Sequence, residues 1–436
     1  MADNFALSPA NRMAEGAHPG TLPFAGRHVV LIHPAWHSCG SHQVFVSQAA
    51  AYRALGATLH DFAVADSPGA VAGSRQHRTY MAMTEDLVAD RRYYAGMALG
   101  RLATAPLLRA AGKWVHGNAA AMLCETTRNV ALPDELRALP RIDLIHCNHF
   151  FCMPAARALK AGRGIPIILD THDLQARQIS LRNEAGFWLP PKATFEAMLE
   201  LELAQMRGAD LLIHLNDEEA QTMRDLLPEK RHALVYPTIK PVPAGPGGRD
   251  LIIVASANYP NFLSVAWFLR EVRPLVPDIA VRIIGNIGQR FRMHDPALLK
   301  EHGALFVGRV DDLDAVYANA AAILLPTTSG HGISIKTIEA LSSGAPLIAM
   351  PEAFRGMAID PGTLGNVTIV TDAAAFAAAL RRFAKAPAAG GDRMTSDTRR
   401  LYDRLFAFDA YKSAIVACTA PLLSGAYSDR MESPDR

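Results

Sequence analysis

The chain has 436 residues, half of them hydrophobic and a fifth charged, and its 44 Lys and Arg against 42 Asp and Glu give a formal net charge of +2. This composition excludes an intrinsically disordered chain, which needs low hydrophobicity and a high net charge. It also disfavours a dedicated nucleic-acid-binding protein, because there is no overall positive excess to neutralise phosphates.

The cysteines and the N-terminal residues bear on the cellular compartment. No two of the five cysteines have Cys-x-x-Cys spacing, which favours free thiols in a reducing compartment over disulfides or a structural zinc. No signal peptide is evident, so we expect a cytoplasmic protein. Residues 93–115 are apolar but interrupted by Arg101, Arg109 and Lys113, which leaves two alternatives: packing in the core, or an amphipathic helix against the inner membrane surface or a neighbouring domain.

Short β-branched runs alternate with helical patterns through most of the chain, as they do in parallel sheets. In the first half, the predicted strands are 27–33, 57–64, 141–147, 166–170, 209–215 and 232–236. Residues 75–132 are predicted to form a helical insertion. Four prolines and three glycines in 237–249 predict a linker.

After this linker the alternation restarts, with predicted strands at 251–255, 280–285, 304–307, 321–326, 346–350 and 368–370. We therefore predict an α/β protein with two Rossmann-like, doubly wound domains that face each other across a cleft. Their predicted bounds are 27–240 and 250–398, with a flexible N-terminus at 1–26. A helix at 399–425 either stays on the second domain or crosses back to the first.

The most informative stretch for chemistry is 327–346. A strand ends at Pro326, a loop of small residues follows, and a helix begins near Ile335, so the N–H groups of that helix start form a site for an anion. Lys336 in the first turn can add a full charge, and Glu339 on the same face can accept hydrogen bonds from a ribose diol. Together they point to a nucleotide, unless Lys336 and Glu339 are only a pair on the helix surface.

These residues also carry a resemblance. The sequence from Gly308 through 321–326 to 332–350 resembles the donor-binding half of the GT-B glycosyltransferases, in particular the retaining group called family 4. Residues 256–261 are similar to the first strand and helix of that half. In the N-terminal half, 143–149 and 168–173 resemble the strands of the acceptor domain.

The resemblance implies transfer of a sugar, with retained configuration, from a nucleotide-diphosphate sugar to a glycan, lipid-linked or small-molecule acceptor. It places Glu339 on the donor ribose, while His331 stands where the family has the first Glu of its motif, on the sugar hydroxyls. Gly40 and Ser41 stand at the family's glycine loop. The residues implied in donor binding are Gly40, Ser41, Asn258, Arg309, His331, Gly332, Ser334, Ile335, Lys336 and Glu339, and those implied in catalysis are His172, Asp173 and Lys336.

No metal and no other cofactor is expected, because the helix start, Lys336 and the loop at Gly40 can balance the charge of a departing diphosphate. Three histidines on successive loops could suggest a metal, but no pair of carboxylates at ligand spacing accompanies them. Because His331 departs from the motif, two other functions stay open: a catalytically silent glycan-binding or partner subunit, and an epimerase that acts on the nucleotide sugar. A contact with a membrane surface also stays open, and the acceptor is unknown.

Overall fold

The structure is a computed structural model that describes residues 22–177, 188–330, 332–385 and 392–424. The chain divides into two compact units. The first comprises the described residues of Met1–Leu215, Glu219–Pro237 and Tyr411–Arg436, and the second those of Asn216–Glu218 and Thr238–Ala410. Most of the predicted flexible N-terminus (1–21) and His331 lie outside the described residues.

The first unit contains a seven-stranded parallel sheet in the order β3-β2-β1-β4-β5-β6-β7. Its strands are β1 (His28–Pro34), β2 (Thr58–Val64), β3 (Arg91–Ala95), β4 (Leu144–Asn148), β5 (Ile167–Asp170), β6 (Leu211–His214) and β7 (His232–Leu234). The strand order reverses between β1 and β4. In open α/β sheets, ligands bind beyond the carboxyl ends of the strands at such a reversal.

Helices connect these strands as crossovers of parallel strands require. They are α1 (Gly40–Ala54), α2 (Arg75–Met83), α3 (Ala105–Val115), α4 (Ala119–Arg128), α5 (Asp134–Arg137), α6 (Met153–Lys160), α7 (Phe195–Met206) and α8 (Asp217–Leu226).

The expected helical insertion at 75–132 is wrong in one respect, because it contains β3, which pairs with β2 at the edge of the sheet. Two arginines open this five-residue strand, and only Tyr93, Tyr94 and Ala95 are buried, which hides the alternation that predicts a strand. The Arg92 guanidinium donates hydrogen bonds to the Asp61 carboxylate and the Thr84 hydroxyl, so its charge has partners inside the fold. In the sequence, the same charge is typical of the exposed face of a helix.

The second unit contains a six-stranded parallel sheet in the order β10-β9-β8-β11-β12-β13, which reverses between β8 and β11. The strands are β8 (Asp250–Val254), β9 (Val281–Ile284), β10 (Phe306–Gly308), β11 (Ala320–Leu325), β12 (Leu347–Ala349) and β13 (Val367–Ile369). The helices are α9 (Tyr259–Trp267), α10 (Gly288–His294), α11 (Pro296–Glu301), α12 (Leu313–Ala318), α13 (Ile335–Ser342), α14 (Ala373–Lys385) and α15 (Asp397–Leu405). The two parallel sheets confirm the predicted α/β fold class.

The proline- and glycine-rich residues 237–249 pack on the second unit. A side chain at Gly245 would lie 2.3 Å from the Cβ of Ala318, and one at Gly248 would lie 2.3 Å from the carbonyl oxygen of Asn319. The N–H of Val242 donates to the Ser342 hydroxyl at 3.0 Å. Glycine is therefore used here for close contact between backbones, which composition alone does not distinguish from a flexible linker.

The last helix of the described residues, α16 (Phe408–Leu423), carries the chain from the second unit back to the first within its opening turn. Tyr411, Ile415 and Leu422 lie in one buried cluster with Phe45 and Tyr52 of the first unit. By length and composition alone, the described helical segment Asp397–Leu423 would also be long and apolar enough to cross a membrane, and 28% of its most apolar window is buried.

Candidate active site

A cavity of about 230 Å³ lies beyond the carboxyl ends of β8, β9 and β10 in the second unit. Its lining combines loop backbone with two cationic side chains, Arg309 and Lys336. The remaining lining residues are Val254, Ala255, Ser256, Ile284, Gly285, Asn286, Val310 and Leu313. Complete small-molecule pockets measure about 300–1,000 Å³, so this cavity is the right size for part of a nucleotide.

Gly285 shapes one wall of this cavity. Its φ of 115° lies in a region that other residues rarely adopt, and a Cβ there would lie 2.1 Å from the carbonyl oxygen of Ala255. Its N–H donates to the carbonyl of Gly308 at 2.8 Å. The ends of three neighbouring strands are therefore held together at a position that tolerates no side chain.

The start of α13 lies where the sequence predicted it. Ser334 precedes the helix and its hydroxyl accepts a hydrogen bond from the N–H of Thr337 at 3.3 Å, while Gly332 has a φ of 59°. Ile335, the first helical residue, is 39% exposed. The first N–H groups of a helix have no acceptor within it, so this partly exposed helix start can bind an anion.

Lys336 and Glu339 are a pair on this helix, as one of the two sequence interpretations holds. The Lys336 Nζ lies 2.7 Å from Oε2 of Glu339 and 3.0 Å from Oε1. Their side chains are 29% and 20% exposed, and Lys336 also lines the cavity. The pair therefore stands at the cavity, which is compatible with either interpretation.

Tyr317 is a member of this group that sequence reasoning missed. Its buried hydroxyl donates to Oε2 of Glu339 at 3.0 Å, and burial, with the Glu339 charge as a second cause, holds the pKa of Tyr317 well above its usual value. Tyr317 therefore stays protonated, and its hydrogen bond holds the Glu339 carboxylate in one orientation. Because Tyr317 lies on α12, 22 residues away, no local spacing pattern indicates this contact.

Asn258 and Arg309 have different surroundings. Asn258 caps α9, where its Oδ1 accepts from the N–H of Asn261 at 2.8 Å, so its side chain already has a structural role. Arg309 is exposed at the cavity, and within the described residues no ion pair involves it. The structure therefore leaves the Arg309 guanidinium, rather than the Asn258 amide, available to a ligand.

In the first unit, a buried polar network lies at the carboxyl ends of β4 and β5, beside the reversal of strand order. Gln48 donates through Nε2 to Oδ2 of Asp170 at 2.9 Å, and its Oε1 accepts from Nδ2 of Asn148 at 2.8 Å. Asn148 Oδ1 lies 2.8 Å from Nε2 of His172. The NH₂ groups of Gln48 and Asn148 are the donors in these hydrogen bonds, so Asn148 Oδ1 is left as an acceptor. Nε2 of His172 must therefore carry the proton that it donates to Asn148 Oδ1.

The backbone at His172 is shaped by Asp170. The N–H of His172 donates to Oδ1 of Asp170 at 3.1 Å, so the Asp170 side chain accepts from the backbone two residues later, as in an Asx turn. His172 itself has a φ of 55°. Burial raises the pKa of Asp170 to about 7, against the opposing effect of these hydrogen bonds. Burial and the neighbouring imidazoles hold the pKa of His172 well below its usual value, so this histidine is neutral.

His149 joins Ser41 to this network. Its Nε2 lies 3.2 Å from the Ser41 hydroxyl, and its ring stacks on that of His172 with centroids 3.9 Å apart and planes 11° apart. Burial lowers the pKa of His149 to about 3. The predicted residues Ser41 and His172 are thus connected through His149, while Gly40 is the first residue of α1.

The stacked geometry bears on the metal that three histidines could suggest. Parallel rings face each other with their π surfaces, so the nitrogens of His149 and His172 do not converge as metal ligands do. His146 is bonded instead to the Tyr52 hydroxyl, 2.8 Å from its Nδ1. Within the described parts of the chain, no group of three or more His, Cys, Asp or Glu could hold a metal ion.

The turn after His172 is held by two buried carboxyl groups. Glu202 accepts from the N–H groups of Gln175 and Ala176, both at 2.8 Å, and Glu219 accepts from that of Leu174 at 3.2 Å. Burial raises the pKa of Glu202 to about 8. Asp173, predicted as catalytic, is exposed at the start of this turn.

Comparison with known proteins gives one family match. Residues 248–386 match the model of the family described as glycosyl transferases group 1. No curated protein matches the chain.

Solved structures resemble about nine-tenths of the chain in fold. Sucrose-phosphate synthase from Thermosynechococcus elongatus gives a TM-score of 0.60 at 17% identity, covering 91% of this chain and 99% of that one. HepE from Anabaena, in complex with UDP, gives 0.56 at 13% identity over 90% of this chain and 99% of that one. A UDP-forming α,α-trehalose-phosphate synthase from Burkholderia vietnamiensis gives 0.56 at 15% identity over 93% and 100%.

The solved structures show that the chain has the GT-B fold, and the family match shows that part of it is similar to the glycosyl transferases group 1. More particularly, the residues that match this family model, 248–386, include the cavity and α13. The resemblance on which the sequence interpretation rests is thereby confirmed.

Proposed function

We propose that the protein transfers a sugar from a nucleotide-diphosphate sugar to an acceptor, with retention of configuration and without a metal. The observation that carries this proposal is the cavity of the second unit, where Lys336, Arg309 and the start of α13 meet. The acceptor would be a glycan, a lipid-linked sugar or a small molecule.

The chemistry of the cavity suits a departing diphosphate. Negative charge grows on this group as the bond to the sugar breaks, and donors that are already in place stabilise it without reorganisation. The helix start supplies N–H groups and the positive end of its dipole, while Lys336 and Arg309 supply full charges. Glu339, oriented by Tyr317, is suited to accept hydrogen bonds from the ribose hydroxyls.

His172 is proposed to act on the sugar or the acceptor. With its proton held on Nε2 by Asn148, the ring has its lone pair on Nδ1, which can accept a hydrogen bond from a hydroxyl. Its lowered pKa keeps it neutral across the physiological range, so it does not repel cationic charge that develops on the sugar.

The second candidate is a subunit that binds a nucleotide or glycan without transfer. The observation that favours it is that Lys336 and Glu339 already satisfy each other. An epimerase that acts on the nucleotide sugar alone is the third.

A donor panel distinguishes these functions. The protein is screened by thermal shift with UDP-, GDP-, ADP- and dTDP-sugars, UDP-sugars first because the HepE neighbours hold UDP and UDP-glucose. The donor that binds is then followed by NMR with candidate acceptors, and with water alone. Transfer or hydrolysis that retains the anomeric configuration supports the proposal, whereas isomerised donor without acceptor indicates the epimerase.

A matched pair of variants adds specificity to the donor panel. Glu339→Gln should weaken donor binding, while Glu301→Gln on the exposed end of α11 should not. Tight donor binding with no turnover on any acceptor or water would overturn the transferase in favour of the silent subunit.

A further inference from the structure

An exposed surface on the first unit combines large apolar side chains with positive charge. It is formed by α3, the residues just before it and a short segment that follows at 188–189. We propose that this surface, called the α3 surface here, docks onto an anionic lipid bilayer. Its apolar residues are Leu99, Leu102, Leu108, Trp114, Val115 and Leu189.

Every apolar side chain of the α3 surface is more than a third exposed. Leu99, Leu108 and Leu189 are 62%, 61% and 60% exposed. The helix buries only Leu107 and Ala110, so Leu108 and Val115, seven residues apart, share a stripe that the fold does not use. Large exposed apolar side chains grouped in this way mark a surface for interaction.

Residues distant in sequence complete the surface. The N–H of Leu189 donates to the carbonyl of Val115 at 3.1 Å, and the Nδ1 of His116 lies 2.9 Å from the carbonyl of Leu189. The rings of Trp114 and Trp188 meet edge to face with centroids 6.2 Å apart. These contacts fix Leu189 beside the C-terminal end of α3.

The charged residues of α3 and of the segment before it have one sign. The sequence contains no Asp or Glu between Asp90 and Glu125, while Arg101, Arg109 and Lys113 are exposed. None of the ion pairs formed by the described residues uses these three cations. On α3, Arg109 and Lys113 are four residues apart and therefore flank the apolar stripe together.

The combination identifies the occupant. A second copy of the chain would bring these cations against each other, because a twofold contact pairs a surface with itself. A nucleic acid would use the cations and leave the leucines in water. A bilayer surface takes both: Trp and Leu enter the interface, while Arg and Lys meet anionic headgroups.

The test is cosedimentation of the full chain with vesicles of phosphatidylcholine alone and with phosphatidylglycerol added. We expect binding to the anionic vesicles that weakens with salt. Each cation near an anionic surface contributes about fivefold to partitioning, so Arg109→Gln with Lys113→Gln should lower it by about 25-fold. Leu108→Asp should abolish most of the rest.

The controls are matched by exposure. Arg75→Gln with Arg78→Gln removes two exposed cations from α2, and Met293→Asp alters a methionine of the second unit that is 70% exposed. Neither should change partitioning. Since all these side chains are exposed, every variant should keep the wild-type unfolding transition, which separates lost docking from misfolding.

Equal binding to neutral and anionic vesicles, or wild-type partitioning of both α3 variants, would overturn the proposal. So would an absence of vesicle binding combined with capture of a stoichiometric protein partner that Leu108→Asp abolishes. The inference does not rest on the proposed function, because it is measured without donor or acceptor.

Discussion

Replacing Lys336 by alanine tests whether this cation serves a ligand or only its neighbour on the helix. A hydrogen bond to a charged group contributes about 1.5–3 kcal/mol, so the loss of Lys336 from a diphosphate should raise Kd by about 10- to 150-fold. The cost to stability should be much smaller. A partly exposed i,i+3 pair contributes about 0.3–0.5 kcal/mol, and Glu339 keeps the Tyr317 hydroxyl at 3.0 Å.

The assay is calorimetric titration with a nucleoside diphosphate, at one salt concentration, together with urea unfolding of each variant. Lys300→Ala is the matched control, because Lys300 is exposed on α11 and does not line the cavity. It should leave both Kd and the unfolding midpoint unchanged. UDP is the first ligand to test, since it is present in a structural neighbour.

A double-mutant cycle with Glu339→Gln separates the two roles of Lys336. If Lys336 contacts the diphosphate itself, its removal weakens binding about equally in both backgrounds. If it acts only by holding the Glu339 carboxylate, its removal has no further effect once that carboxylate is gone. A change in Kd of less than about twofold in Lys336→Ala, with the fold intact, would refute the reasoning.

Three further predictions concern the fold around the two candidate sites. Gly285→Ala should lower the free energy of unfolding in urea by about 1–3 kcal/mol, because the new Cβ would clash with the backbone. Gly288→Ala should not lower it, because the nearest atom to its Cβ would be 3.9 Å away. Equal effects of the two variants would contradict the close approach at Gly285. Gln48→Leu removes a buried hydrogen-bond donor from Asp170 and an acceptor from Asn148, and the free energy of unfolding should fall by about 1–3 kcal/mol. Gln43→Leu, on the exposed side of the same helix, should be nearly neutral, and a tolerated Gln48→Leu would refute the network. Burial raises the pKa of Glu202 from 4.5 to about 8, so between these values the folded protein holds a proton that the unfolded chain releases, and the free energy of unfolding should fall as pH rises through this window. The slope contributed by this group is at most about 1.4 kcal/mol per pH unit, and it should be absent in Glu202→Gln; identical pH profiles of the two proteins would rule the assignment out.

The sheets and the start of α13 could be predicted because their signals are local. Each buried parallel strand is a short apolar run, and the α13 start shows its small-residue loop, its cap Ser334 and its first-turn Lys336 within ten residues. The edge strand β3 escaped prediction because its charged half resembles a helix surface.

The polar network of the first unit could not be predicted for a different reason. Gln48, Asn148 and His172 are separated by 100 and 24 residues, and they meet because β1, β4 and β5 are neighbours in the sheet. The sequence pattern indicates which segments are strands but not the order in which they pair. The hydrogen bonds that set the protonation of His172 are therefore a property of topology, and the same is true of the contact between Tyr317 and Glu339.

The first unit is interrupted in sequence, whereas the second is almost continuous, and this has a consequence during synthesis. Tyr411, Ile415 and Leu422 belong to the apolar cluster around Phe45 and Tyr52, so that cluster lacks three of its side chains until α16 has left the ribosome. Residues 238–410 are complete earlier and can fold first, in reverse of the usual N-terminal order. Until α16 emerges, the apolar surface that it covers on the nascent first unit is open to other chains.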